Sequence, residues 1–237
     1  MKSKTVQIYA KLSPERNEAV FSGIKFVDFI ECTPIPIENI LLPKPVGIGN
    51  RYFKRFELLE EKNDISKLKL QNIYSYGDFC FIDYANMESV SELTEEQIAE
   101  ILYLVHMYKP LKSPFFDALQ NNYVYLSHDD GWYCKLYCKE QQALTSLLLN
   151  KLLKSINELC RNTVISLPGD LSEKVAKLST RGMLLQLEIS SQRSKTIERN
   201  NGVTVKLYEV GEYENMDDLF SNLDNVRYQL SFEVQID

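Results

Sequence analysis

A turn in the middle of the chain carries the residues with the clearest potential for chemistry. His128 is followed by Asp129 and Asp130, with Ser127 and Trp132 on either side. A histidine beside carboxylates has the chemistry of a general base or of a metal ligand. Asp-Asp-Gly is also the composition that tight turns select, so a solvated turn is the competing interpretation. We therefore take His128, Asp129 and Asp130 as the candidates for catalysis.

The cysteines and glycines do not complete a site by their spacing. Cys134 and Cys138 suit one half of a structural zinc site, but a second ligand pair is missing. The five cysteines are an odd number and lie mostly in apolar segments, which predicts reduced thiols in the core. Gly47 and Gly49 match only half of a dinucleotide-binding fingerprint. The sequence thus predicts no metal and no cofactor, and no motif in it identifies a family.

The chain is acidic, and its acids are grouped. Its 237 residues carry a formal charge of −6. Residues 83–100 contain six acids and no base, and residues 208–237 contain eight acids and one base. Such surfaces repel phosphate backbones, which predicts that the protein does not bind nucleic acid. The acidic stretches are either solvated loops or a face for a basic protein partner.

The distribution of apolar residues also bears on location. No apolar run approaches the roughly 18 residues that a membrane helix needs. Near the N-terminus, Lys11, Glu15 and Arg16 interrupt any apolar segment of a signal peptide. We therefore expect a cytoplasmic protein without a membrane partner.

Alternation at the end of the chain predicts a strand with one covered face. From Val226 to Ile236 every second residue is apolar, and successive side chains of a strand point to opposite faces. A sheet with one wet face is usually antiparallel. A second alternating strand is predicted at Lys4–Leu12.

A broad leucine stripe predicts a long helix from about 139 to 161, packed on one face of the sheet. The expected class is therefore α+β with an antiparallel sheet. We expect residues 1–237 to form a single compact unit, with lobes 1–90 and 91–237 as the alternative.

Three shorter segments contain residue patterns that predict their secondary structure. Thr94 and Gln97 form a capping box that opens a helix. Residues 123–127 and 132–138 read as a hairpin. Ile24–Glu31 is predicted to be a strand, with a bulge where its apolar alternation slips.

The segment from Cys32 to Asn50, which we call the arm, combines four prolines with many apolar residues. Proline prevents a helix and removes donors from a sheet ladder. A loop this apolar must lie against something. If a partner covers it, the interface candidates are Ile35, Ile37, Ile40, Leu41 and Leu42.

Three hypotheses for function follow. The first is a non-enzymatic binding or regulatory protein that works through protein contacts, by self-association or with a different partner. The second is a hydrolase or metal-dependent enzyme centred on His128, Asp129 and Asp130. The third is a module that binds a small ligand in a cavity between sheet and helix.

Overall fold

The computed structural model describes residues 6–60, 62–73, 78–127, 133–160, 167–191, 201–211, 218, 221 and 227–234. The strands are β1 (Val6–Ser13), β2 (Glu18–Ser22), β3 (Ile40–Leu42), β4 (Arg51–Phe53), β5 (Phe56–Leu59), β6 (Phe79–Asp83), β7 (Tyr123–Ser127), β8 (Cys134–Cys138), β9 (Met183–Ser191), β10 (Asn201–Glu209) and β11 (Arg227–Val234). The helices are α1 (Phe26–Cys32), α2 (Lys62–Leu70), α3 (Met87–Ser91), α4 (Glu95–Met107), α5 (Gln141–Cys160) and α6 (Leu171–Ser179).

The predicted α+β class with antiparallel strand pairing is confirmed. One compact unit, unit 1, comprises residues 1–13, 20–34 and 142–237, and unit 2 comprises residues 14–19 and 35–141. Both units are assembled from separate stretches, whereas the predicted lobes 1–90 and 91–237 are continuous; the domain division stays a prediction.

Unit 1 contains an antiparallel ladder in the order β11-β10-β9-β1. The terminal strand is thus present, with bounds close to those predicted and with β10 as its neighbour. The side chains of β11 lie outside the described residues, so its covered face stays a prediction. The long helix is also present as α5, and its predicted stripe is buried at Leu144, Leu147, Leu148, Leu152 and Ile156.

One prediction in unit 1 is wrong. Residues 24–31 do not form a strand, because helix α1 begins at Phe26. Its buried residues are Phe26, Phe29 and Cys32, which are spaced by three as on one face of a helix. The slip in the alternating pattern was therefore the sign of a change to helical periodicity and not of a bulge.

A network of charges also holds α1 in unit 1. Asp28 accepts hydrogen bonds at 2.9 Å from both Lys151 and Lys154 of α5. Lys154 also contacts Glu31 at 2.6 Å. These lysines lower the pKa of Asp28 against the opposing effect of its partial burial, which raises it.

Unit 2 contains an antiparallel ladder in the order β8-β7-β6-β3-β5-β4. The predicted hairpin of β7 and β8 is confirmed by its strands, which pair from Tyr123 with Cys138 to Ser127 with Cys134. The capping box of α4 is also confirmed. The Thr94 hydroxyl accepts from the Gln97 N–H at 3.2 Å, and the Gln97 side chain accepts from the Thr94 N–H at 3.0 Å.

None of the described helices is long and apolar enough to cross a membrane. The core of unit 2 lies between one face of its ladder and helices α3 and α4. It includes Leu41, Leu58, Ile82, Ile101 and Leu126.

A carboxylate buried at the end of β6 makes the stability of unit 2 depend on pH. Asp83 is buried and accepts hydrogen bonds from the N–H groups of Asn122 at 3.0 Å and Tyr123 at 2.6 Å. Burial raises the pKa of Asp83 to about 6, although these hydrogen bonds act in the opposite direction.

We predict that the contribution of Asp83 to the free energy of unfolding falls as the pH rises. Its native pKa of about 6 lies above the unfolded value of about 3.9, so the native state holds this proton more tightly. The contribution is complete below about pH 4 and is lost as the pH rises through about 6. Between pH 4 and 7, the unfolding free energy of Asp83→Asn should rise by about 2–3 kcal/mol relative to that of the wild type.

Urea denaturation of both proteins at a series of pH values measures this difference. Asp117→Asn is the matched control, since Asp117 is exposed in the same unit. A pH dependence of the Asp83→Asn difference no larger than that of the control would contradict the assignment.

Candidate functional site

The predicted catalytic residues His128, Asp129 and Asp130 lie outside the described residues. The enzyme hypothesis therefore stays a prediction. Within the described ranges, no group of three His, Cys, Asp or Glu side chains is placed to hold a metal ion.

The two cysteines of β8 are core residues. Cys134 and Cys138 are buried, and burial raises the pKa of each thiol to about 12. Both thiols are therefore protonated at neutral pH, whereas a nucleophilic cysteine acts as the thiolate. Their four-residue spacing reflects packing on one strand face.

The middle of the arm is covered by its own chain. Ile40, Leu41 and Leu42 form β3, with no exposed surface, between β5 and β6. These three candidates therefore have no surface to offer a partner in the folded protein. Ile35 and Ile37 are partly exposed and stay candidates for contact.

A single buried carboxylate holds the second half of the arm. Glu57, in β5, has no exposed surface. Its Oε2 atom accepts hydrogen bonds from the N–H groups of Val46 at 2.5 Å and Gly47 at 2.8 Å. Its Oε1 atom accepts from the N–H groups of Ile48 and Gly49, both at 2.5 Å. Four consecutive amides thus converge on one side chain, as in the backbone concavities that bind anions.

Two glycines make this geometry accessible to the loop. Gly47 has a φ of +76°, in the left-handed region that side chains disfavour. A Cβ atom on Gly49 would lie 2.5 Å from the carbonyl oxygen of Leu58 and 2.8 Å from the side chain of Leu59. The Gly-x-Gly pattern therefore serves a tight loop on the surface of β5 and not a dinucleotide.

The loop continues into a basic hairpin. From Pro43 to Phe56 the chain has four bases and no acid: Lys44, Arg51, Lys54 and Arg55. All four are exposed, as is Tyr52, with 53% of its surface accessible. Arg51 pairs with Glu60 and Lys54 pairs with Glu95. We call Pro43–Phe56 the basic hairpin. Its run of bases without an acid is a signal that the sequence alone contains.

The basic hairpin also ends the sheet. β4 pairs with β5 from Arg51 with Leu58 to Phe53 with Phe56, and it is the last strand of the ladder in unit 2. Among the described strands, none lies on its outer side. A terminal strand of this kind exposes backbone N–H and C=O groups that another chain can pair with.

The acidic stretch 83–100 is less available than its composition suggests. Asp83 is buried, and Glu95 pairs with the basic hairpin. Glu96 and Glu100 contact Lys112 at 2.7 and 2.9 Å. Four of its six acids are therefore engaged within the chain, which weakens the case for a face that binds a basic partner.

We predict that Glu57→Gln destabilises the protein by about 2–5 kcal/mol. Glutamine keeps one acceptor oxygen, while its NH₂ group faces two N–H donors, and each buried group left unsatisfied costs about 1–3 kcal/mol. Equilibrium denaturation measures the loss. Glu38→Gln is the control, because Glu38 is exposed on the same arm. An equally small effect of both substitutions would contradict the structural role of Glu57.

Comparison of the chain with models of protein families, with curated proteins and with solved structures yields no match. The function proposed below therefore rests on the residues of this chain.

Proposed function

We propose that this protein is a non-enzymatic binding protein whose basic hairpin recognises an extended acidic segment of a partner protein. The observation that carries the proposal is the set of four amides held by Glu57, because it fixes the loop that leads into β4. The contact is made by main-chain pairing along β4 and by the surrounding cations.

Rigidity supports the proposal. A loop that is ordered before it binds does not lose conformational freedom on binding, which favours affinity. The loop Val46–Gly49 is ordered by hydrogen bonds to Glu57 at 2.5–2.8 Å. Val46 and Ile48 stay partly exposed in this fixed conformation, so the loop presents apolar side chains at defined positions.

Charge supports an acidic partner. The chain has a net charge of −6, yet the basic hairpin concentrates four positive charges without an acid. Lys44 and Arg55 have no ion-pair partner among the described residues, so their charge is open to a ligand. Complementary charge of this kind directs encounter and selects partners more than it adds affinity.

The open edge supports an extended segment. A peptide that adds to a sheet edge gains main-chain hydrogen bonds, and alternate side chains give specificity. Pairing of β4 with β4 of a second copy would bring like charges together, which is unfavourable. The edge therefore favours a different, acidic chain over self-association.

We predict that a fluorescent decapeptide of alternating glutamate and threonine binds the protein, and that the matched lysine–threonine peptide does not. Lys44→Glu combined with Arg55→Glu should weaken binding at least tenfold, because two attractions become repulsions. Fluorescence anisotropy at two salt concentrations measures the affinity, which should fall as salt rises.

The control variant carries the same change of net charge elsewhere in unit 2. Lys109→Glu combined with Lys139→Glu reverses two exposed charges outside the basic hairpin. It should change the affinity less than twofold. Absence of acidic-peptide binding, or equal losses in both variants, would contradict the proposal.

A further inference from the structure

We propose that the segment recognised by the basic hairpin carries an aromatic or β-branched residue between two acids, and that Tyr52 selects for this central residue. The inference rests on the proposed function and names the chemistry of the partner. Tyr52 is the middle residue of β4, and 53% of its surface is exposed. Within the described ranges only four large hydrophobic side chains are exposed, and Tyr52 alone of these lies in the basic hairpin.

The main chain of Tyr52 is placed to pair with an added strand. β4 and β5 are joined by the two-residue turn Lys54–Arg55, so Phe53 and Phe56 flank the turn and form a hydrogen-bonded pair. Hydrogen-bonded and non-hydrogen-bonded pairs alternate along an antiparallel ladder. The next pair, Tyr52 with Glu57, is therefore of the second kind, and the N–H and C=O groups of Tyr52 point away from β5. A segment that adds to β4 must pair through Tyr52.

One face of the sheet places the Tyr52 side chain on the same side as the ordered loop. Tyr52 and Glu57 lie directly opposite each other in the ladder, so their side chains share a face. Glu57 holds the amides of Val46–Gly49 on that face. Val46 and Ile48 are partly exposed in this loop. The face therefore presents an exposed aromatic ring beside two apolar side chains on a fixed backbone.

The other face of β4 carries positive charge. Arg51 and Phe53 point to this face, because successive side chains of a strand alternate. The Lys54 Nζ atom lies 5.7 Å from the centre of the Phe53 ring. Both cations have a glutamate partner within the chain, but 65% of the Arg51 side chain and 41% of the Lys54 side chain are exposed. Ion pairs this exposed are weak, so both cations can also face a carboxylate of the partner.

These two faces define the sequence that fits the edge. The residues of an added strand point alternately to the two faces, as those of β4 do. The residue opposite Tyr52 meets its aromatic ring, and aromatic and β-branched side chains form favourable cross-strand pairs with such a ring. Its two neighbours meet Arg51 on one side and Lys54 on the other, which favours acids. The partner segment therefore has the order acid, aromatic or β-branched residue, acid.

The register of the partner distinguishes this pairing from general hydrophobic attraction. An aromatic residue that only adds apolar contact would strengthen binding at any position of a peptide. Pairing with Tyr52 requires the aromatic residue on the same face as Tyr52, and a shift by one position moves it to the opposite face. Two peptides of identical composition but different alternation therefore separate the two cases.

The test is fluorescence anisotropy of the full chain with three labelled variants of the glutamate–threonine decapeptide. The threonine nearest the centre is replaced by tyrosine in the first peptide and by serine in the second. The third peptide, the shifted one, exchanges that tyrosine with a neighbouring glutamate. The tyrosine peptide should bind about threefold more tightly than the serine peptide, and the shifted peptide should bind no more tightly than the serine peptide.

Variants of the protein assign this preference to Tyr52. Tyr52→Ser should remove the preference for the tyrosine peptide, whereas Tyr52→Phe should keep it. Leu111→Ser is the matched control and should also keep it, because Leu111 is 57% exposed in the same unit but lies outside the basic hairpin.

Two kinds of failure are distinguishable. The inference alone is overturned if the three peptides bind equally well, or if Tyr52→Ser retains the preference. If none of the three peptides binds, the proposed function is overturned and this inference with it.

Discussion

The hydrogen bonds of Glu57 are the constraint on which the site depends. A carboxylate without exposed surface is strongly unfavourable unless its oxygens are paired. Here four consecutive N–H groups, from Val46 to Gly49, satisfy both oxygens. Because these donors belong to one loop, the loop has a single favourable position on β5. The direction in which the chain enters β4 follows from that position.

The composition of the arm fits the same constraint. Pro43 and Pro45 restrict the backbone without supplying donors, so the donors come from the four residues that follow them. Gly47 supplies the left-handed turn, and Gly49 allows close approach to β5. Prolines and glycines in a segment that looked irregular thus specify one conformation. The apolar part of the arm forms β3 and is covered by neighbouring strands, which accounts for its hydrophobicity.

Patterns among neighbouring residues predicted much of the fold. Elements whose partners are distant in the sequence could not be predicted in this way. The capping box at Thr94, the leucine stripe of α5 and the strands of the β7–β8 hairpin depend on neighbouring residues and were predicted. β3 was not, because its partners come from residues 56–59 and 79–83, and no local pattern identifies them. Helix α1 was mistaken for a strand because seven residues are too few for helical periodicity to stand out.

The site was less predictable for a related reason. A glutamate in a strand normally indicates a solvent-facing position, so the burial of Glu57 becomes evident only when the loop is placed over it. The bases of Pro43–Phe56 are evident in the sequence. A polar cavity in unit 2, by contrast, is lined by residues from Asn39 to Met87 that share no motif. Sequence patterns report mainly the exposure and periodicity of side chains. Buried carboxylates and polar cavities are formed by tertiary structure, so such patterns do not reveal them.

Amide hydrogen exchange of the intact protein, followed by NMR, tests the central claim most directly. If Glu57 fixes the loop, the amides of Val46, Gly47, Ile48 and Gly49 should exchange as slowly as those of β5, through opening of the sheet. Exchange of these four amides at the rate of an unstructured peptide would contradict the account.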